Sequence, residues 1–290
     1  MAAAILWTWT ALPATASAFV DELGSRALGM GGAGRADARG DEALPLNPSG
    51  MSVARLYSVE GHYQYVSPGG EQFAHVSVVD STSTSGVSGG LYYVFRTAAM
   101  TGVARSIGHE GGIALSMPLG EALMLGVTGK YVSLSGGAPE PDGSSSHGGI
   151  TVDAGATIRP ASILTLGVVG YSLRDLSTTR APLALGYGAA LSPVPQLTAA
   201  LDVLHDFTTS DPTRGVRTTL AIGAELRPAE RMAFRAGGGR DGGLEHDYVS
   251  AGFAAVSEAG AVDFSLRQDI TGSGKTTTFV ASLRVFVPQP

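Results

Sequence analysis

Residues 216–227 read Val-Arg-Thr-Thr-Leu-Ala-Ile-Gly-Ala-Glu-Leu-Arg. In an extended chain successive side chains point to opposite faces. Val216, Thr218, Leu220, Ile222, Ala224 and Leu226 therefore share one face, and Arg217, Thr219, Ala221, Gly223, Glu225 and Arg227 the other. The stretch exceeds the roughly 5–6 residues commonest in soluble strands and reaches the ~9–11 that a tilted strand needs to cross a bilayer. The pattern recurs on both sides of it. Val262, Phe264 and Leu266 oppose Asp263, Ser265 and Arg267, and Leu197, Ala199, Leu201 and Val203 oppose Thr198, Asp202 and Asp206. Ile150, Val152, Ala154, Ala156 and Ile158 oppose Thr151, Asp153, Thr157 and Arg159.

Two packings satisfy this alternation. In a soluble sandwich the apolar face is the core; in a membrane barrel it meets lipid while the charged face lines a polar lumen. Connection lengths separate them. About fourteen segments begin near Leu56, Gln72, Val87, Gly111, Ala122, Gly149, Ile163, Leu183, Gln196, Val216, Arg231, Asp247, Gly260 and Thr277. Tight turns at 118–121, 160–162, 192–195, 228–230 and 257–259 alternate with longer polar connections at 97–108, 135–148, 175–182, 208–215, 241–246 and 271–275. Outer-membrane barrels sort their connections in this way, with short periplasmic turns and longer extracellular loops. The first two connections, 67–71 and 81–86, break the rule. An even strand count also closes the barrel with both ends of the chain on one side. The expected fold is all-β: a transmembrane antiparallel barrel over residues 55–287. Tyr57, Tyr63, Tyr65, Tyr92, Tyr93, Phe95, Tyr131, Tyr171, Phe253 and Phe279 are candidates for its interfacial aromatic girdles.

Composition narrows the function classes. The 290 residues are 44% hydrophobic and only 15% charged, too apolar for a disordered chain. Without Cys there is no disulfide framework, thiolate metal site or Cys nucleophile. A net charge of -6 argues against nucleic acid as a partner, because that affinity rests on neutralising phosphates. Residues 1–18 carry no charged side chain and end in Ala16-Ser17-Ala18, a small-x-small site. They read as a secretory signal peptide, the alternative being a buried apolar N-terminus. No later apolar run reaches the ~20 residues a membrane helix needs, so strands must do any crossing.

Residues 19–54 lack the alternation and are small, Gly- and Ala-rich and turn-forming. Arg26-Ala27-Leu28-Gly29-Met30-Gly31-Gly32-Ala33, then Gly40-Asp41-Glu42-Ala43, then Asn47-Pro48-Ser49-Gly50-Met51 resemble the opening of FadL-type hydrophobic-compound transporters and of the related PorV/PorQ group. Ser49 and Pro45 depart from the pattern, where Ala and an aromatic are usual. The resemblance implies a fourteen-stranded outer-membrane barrel of a Gram-negative bacterium with an N-terminal hatch. The hatch motif falls on Gly29, Gly31, Gly32, Asn47, Pro48 and Gly50. The implied function is passive uptake of fatty acids or aromatic hydrocarbons, and the PorV group offers the alternative of a non-transporting scaffold for secretion or surface-attachment proteins. Membrane lipid, a small hydrophobic molecule and the outer-membrane insertion machinery are the expected partners, with a periplasmic or surface protein for the scaffold. In FadL-type members the ligand leaves sideways through a gap at an inward kink of the third strand. Gly89-Gly90 in the third segment is the candidate for such a gate, since paired Gly inside a strand often mark a bulge.

A hatch also follows from barrel width. Fourteen strands enclose more space than the eight-strand size that side chains alone fill. Irregular backbone at membrane depth is tolerated where it is buried in protein or lines a polar cavity. The alternation assigns Glu60, His62, Lys130, Asp153, Arg159, Asp202, Arg217, Glu225, Arg235, Asp263, Arg267 and Arg284 to the lumen. Both signs occur, which suits a network bracing a hatch better than a one-sign ion filter.

Catalytic and cofactor motifs are not expected. Residues 29–34 satisfy GxGxxG as a string, but no strand precedes them. Gly272-Ser273-Gly274-Lys275-Thr276 resembles a phosphate loop, yet the required first Gly falls on Asp269 and a strand follows, so it reads as a hairpin loop. The six His show no metal-binding spacing, and no GxSxG elbow is present. A Ser-His-Asp set assembled only in space stays open at this level.

Overall fold

The computed structural model describes residues 22–84, 86–98, 105–137, 143–211 and 215–288. The signal-peptide reading at 1–18 lies outside them. Fourteen strands form a closed barrel in which each is antiparallel to its chain neighbours and the first pairs with the last. They are β1 (Tyr57–Ser67), β2 (Glu71–Asp80), β3 (Ser88–Ala98), β4 (Ser106–Leu119), β5 (Leu123–Ser135), β6 (Ser146–Ala161) and β7 (Leu164–Tyr171). There follow β8 (Ala184–Val194), β9 (Leu197–Asp211), β10 (Gly215–Ala229), β11 (Met232–Asp241), β12 (His246–Val256), β13 (Gly260–Asp269) and β14 (Thr277–Phe286). Ahead of the barrel lie two one-turn helices, α1 (Ser25–Gly29) and α2 (Ala43–Leu46), and two 3-10 turns, Gly40–Glu42 and Pro48–Val53.

The alternation resolves in the membrane sense. Ile113, Ile222 and Leu283 are 62%, 61% and 56% exposed, whereas Lys130, Asp202 and Glu225 are at most 2% exposed. Large apolar side chains thus cover the outer wall, and ionisable ones are shut inside. A soluble barrel would show the reverse. Tyr63, Tyr93, Tyr131, Phe253 and Phe279 lie on the outer face, but Tyr92 and Tyr171 are buried within and leave the girdle set.

On one rim the connections are residues 120–122, 162–163, 195–196, 230–231 and 257–259. The other carries 99–105, 136–145, 172–183, 242–245 and 270–276. The exceptions are 68–70, 81–87 and 212–214. The last corrects the loop expected at 208–215. There β9 runs on across a register shift, and the Asp206 carboxylate accepts the backbone N–H groups of Thr208 and Thr209, both at 2.9 Å. β4 starts five residues earlier than expected, at Ser106, because Gly108 and His109 already pair with Arg96 and Phe95 of β3.

Candidate functional site

Residues 22–54 are buried almost throughout, and their partners are the inward-facing residues of the strands. Glycine on both surfaces permits this contact. Gly31 has φ +71°, and a Cβ there would stand 2.5 Å from the backbone nitrogen of Gly238. Inward Gly223 of β10 and Gly237 of β11 leave room for the Met30 backbone, since a Cβ on either would come within 2.3 Å of it. Side chains of ordinary size would hold the two backbones apart. Gly29 ends α1 against Gly252, and Gly50 closes on the Ala38 carbonyl.

Asn47, Pro48 and their neighbours form a second anchor. Pro48 opens the 3-10 turn, where its missing N–H costs nothing. The Asn47 side chain caps that turn by accepting the Ser49 N–H, and its Nδ2 donates to the Arg35 carbonyl at 2.9 Å and to Thr157 Oγ1 at 3.2 Å. Ser49 Oγ sits 2.7 Å from Asn47 Oδ1 and 2.8 Å from Thr157 Oγ1, so this departure from Ala adds a bond to the wall.

Ion pairs complete the attachment. The Arg26 guanidinium reaches Asp37 at 2.7 Å, Glu42 at 2.8 Å and Glu225 of β10 at 3.0 Å. Glu225 binds Arg235, which binds Asp263 at 2.6 Å. Burial disfavours the Arg26 charge, but the Glu42, Glu225 and Asp37 carboxylates outweigh it and hold its pKa well above the ordinary value. Arg284 of β14 pairs with Glu60 of β1 and lies 3.5 Å from Asp41. Burial and the Glu60 charge push the Asp41 carboxyl up, against hydrogen bonds donated by Ser58 and Ser77.

Of the lumen residues read from the alternation, all but Arg159 are buried or half-buried inside. Lys130 pairs with Asp153 at 2.7 Å, and Arg217 pairs with Asp241. Arg267 stacks on the Tyr248 ring at 3.7 Å. Arg159 keeps inward parity but stands exposed at the rim, where the β6–β7 register shifts beyond Ile158. The bulge expected at Gly89-Gly90 is absent: β3 pairs with β2 and β4 through both residues without a shift. Gly90 instead faces inward and cradles α2 and the 3-10 turn that follows it, for a Cβ there would meet Leu44 at 2.7 Å and Met51 at 3.0 Å.

The alternation missed Glu110, Arg96, Tyr171 and His75, along with every partner supplied by residues 22–54. It also missed the connection 172–183, which folds inward. Ser172, Thr178 and Ala181 are fully buried, and Ala181 packs on Val132 and Leu134 of β5. Arg180 Nη1 donates to Ser106 Oγ and the Gly136 carbonyl, both at 3.1 Å, while Arg96 of β3 donates to the Arg180 carbonyl. The connection thereby crosses from β7 to the rim of β3–β5. Beside residues 22–54 lie interior cavities of about 40 and 20 Å³ and, toward the rim at Ala54 and Phe286, a wider one of about 200 Å³ against Arg26, Arg39, Gly40 and Glu42. The sequence Gly272–Thr276 lies in the β13–β14 hairpin loop, where Lys275 Nζ donates to the Ile270 carbonyl. His246 lies between the Asp269 carboxylate and the Ser273 carbonyl, so its second nitrogen meets no hydroxyl nucleophile.

No protein-family model and no curated protein matches the sequence. Solved structures do match. The barrel superposes with TM-score 0.73 on a chain described as the CymD monoaromatic hydrocarbon channel, at 14% identity, covering 94% of this chain and 99% of that one. A Pseudomonas aeruginosa FadL homologue gives 0.69 at 13% identity, covering 91% and 98%. A deletion mutant of the TodX monoaromatic hydrocarbon channel gives 0.65 at 12% identity, covering 91% and 97%. The resemblance carried by residues 26–51 is therefore matched by the whole architecture: this chain has the fold of the FadL-type channels.

Proposed function

We propose that the chain is an outer-membrane channel for the passive entry of small hydrophobic compounds, with residues 22–54 as a hatch inside the barrel. The observation that carries the reading is the docking of an irregular, glycine-rich segment onto the charged inner wall of a barrel whose outer wall is apolar. Irregular backbone is stable at membrane depth only under such cover. The structural neighbours described as hydrocarbon channels and a FadL homologue support the substrate class. The cavity beside Arg26 and Glu42 exceeds the roughly 150 Å³ that houses a benzene ring, but the two deeper ones, beside Gly31 and beside Glu22, are far smaller. Passage therefore requires the hatch or the 172–183 connection to shift. Lateral exit beside β3 would also have to open a fully paired strand.

Uptake of labelled toluene and oleate by cells with and without the gene tests the proposal. Faster entry with the gene supports it, and equal entry of both rejects it. The narrowness of the two deeper cavities is the observation that favours the scaffold reading, in which a closed barrel docks protein partners. That reading requires a stoichiometric protein to co-purify and no dependence of uptake on the gene.

A further inference from the structure

His62 of β1 and His75 of β2 are direct partners across the ladder, both with side chains directed inward. Their rings stack with centroids 4.4 Å apart and an interplanar angle of 14°. Glu22, from the segment ahead of α1, places Oε1 2.8 Å from His75 Nδ1 and 3.5 Å from His62 Nε2. All three residues are buried, and one ligand atom from each lies within 4.8 Å of the others.

We propose that Glu22, His62 and His75 bind a single divalent transition-metal ion of the zinc class, which clasps the N-terminal segment to the β1–β2 wall. Four observations carry this. Bonds of about 2.0–2.2 Å to imidazole and carboxylate put the donors of a tetrahedral zinc site roughly 3.4 Å apart, and here Glu22 Oε1 lies 2.8 and 3.5 Å from the two histidine nitrogens, with all three donors within 4.8 Å. The ring nitrogens of His62, a side chain 2% exposed, meet carboxylate oxygens of Glu22 and Glu60 only at 3.5 and 3.6 Å, too far for well-formed hydrogen bonds. A buried nitrogen left in that condition is costly, and a metal ion would satisfy it. The far nitrogen of His62 faces the Glu60 carboxylate at 3.6 Å, the outer carboxylate that commonly orients a metal-bound imidazole. Finally, the 20 Å³ cavity touching Glu22 and His75 has room for one water as the fourth ligand. Two imidazoles and one carboxylate suit zinc, copper, nickel or cobalt better than magnesium or calcium.

This inference does not depend on transport. Its test uses untagged protein in detergent, stripped with chelator and titrated calorimetrically with zinc chloride. One ion per chain is expected. Loading with copper(II) should give an electron paramagnetic resonance spectrum with superhyperfine splitting from two nitrogens. H62A and H75A should lose stoichiometric binding, E60Q should weaken it about 10–100-fold, and H246A should leave it unchanged. Heat-modifiable gel mobility confirms that each variant has folded. Absence of stoichiometric binding by the wild-type protein overturns the proposal, as does a copper spectrum without two nitrogen donors. So does binding that persists in the folded H62A/H75A double variant. The wild-type measurements decide the question even where a variant fails to fold.

Discussion

Asp202 of β9 holds Gly34 and Arg35 at three points. Its Oδ2 accepts the backbone N–H groups of Gly34 and Arg35, both at 2.9 Å, and the Arg35 guanidinium at 3.1 Å. One carboxylate thus fixes both the backbone and the charge of the segment midway between its two glycine-lined contacts. Replacing Asp202 by Ala leaves a buried guanidinium whose remaining side-chain contact is Tyr171. Removing one partner of a buried pair commonly costs about 3–5 kcal/mol. D202A should therefore release residues 30–40 to hydrogen exchange while the strand ladders stay protected. Unchanged exchange across that segment would show that the pair does not hold it.

The outer wall gives a prediction of opposite character. Ile222 of β10 is 61% exposed, one residue along from buried Ala221. An Arg at a lipid-facing position near the bilayer midplane costs about 2–4 kcal/mol, whereas Ala loses only some apolar contact with lipid. I222R should lower the urea midpoint of the vesicle-embedded barrel well below that of I222A. A wall facing water would tolerate Arg as readily as Ala, so equal midpoints would refute the lipid-facing assignment.

The two sites differ in how far the sequence exposes them. Strand period is a local property, so the face of Ile222 and the inward turn of Glu225 are readable within twelve residues of each other in any register. Asp202 is likewise readable as inward, but its partnership with Arg35 spans 167 residues and depends on how a non-periodic segment folds back. His75 escaped because Phe73, His75, Ser77 and Val79 alternate with Ala74, Val76 and Val78, so both faces carry apolar residues. The short 68–70 connection was the available signal. It fixes the β1–β2 register, which brings His62 opposite His75. Gly90 was readable as unusual, but its role is to admit Leu44 and Met51, which only the packed structure reveals.

Asp41 should make docking of the segment pH-dependent. Burial and Glu60 raise its pKa, while Arg284, Ser58 and Ser77 oppose the shift. A carboxyl whose pKa is raised on docking binds its proton more tightly in the docked state. Its stabilising contribution is complete below the ordinary carboxylate range and is lost as pH rises through the raised value. Protection of residues 38–46 should thus increase on mild acidification, and D41N should reduce that dependence to the part carried by Glu42, whose carboxyl burial also pushes up. A dependence of the same size in D41N would assign it to another group.

The inward-folded connection between β7 and β8 supplies the last test. Arg180 fastens it through hydrogen bonds to Ser106 Oγ and the Gly136 carbonyl, both at 3.1 Å. At about 1 kcal/mol for each bond lost, R180A should raise the detached population of the connection roughly 30-fold. The packing of Ala181 on Val132 and Leu134 is untouched by this change, so the barrel itself should keep its melting behaviour. Faster hydrogen exchange over residues 174–181 would report the detachment. Reconstituted in a planar bilayer, R180A should also show more frequent conducting events than the wild-type barrel, because the connection spans the rim from β7 to β3–β5. If exchange quickens but conductance does not change, the connection covers the rim without controlling passage, and the path must be set by residues 22–54 alone.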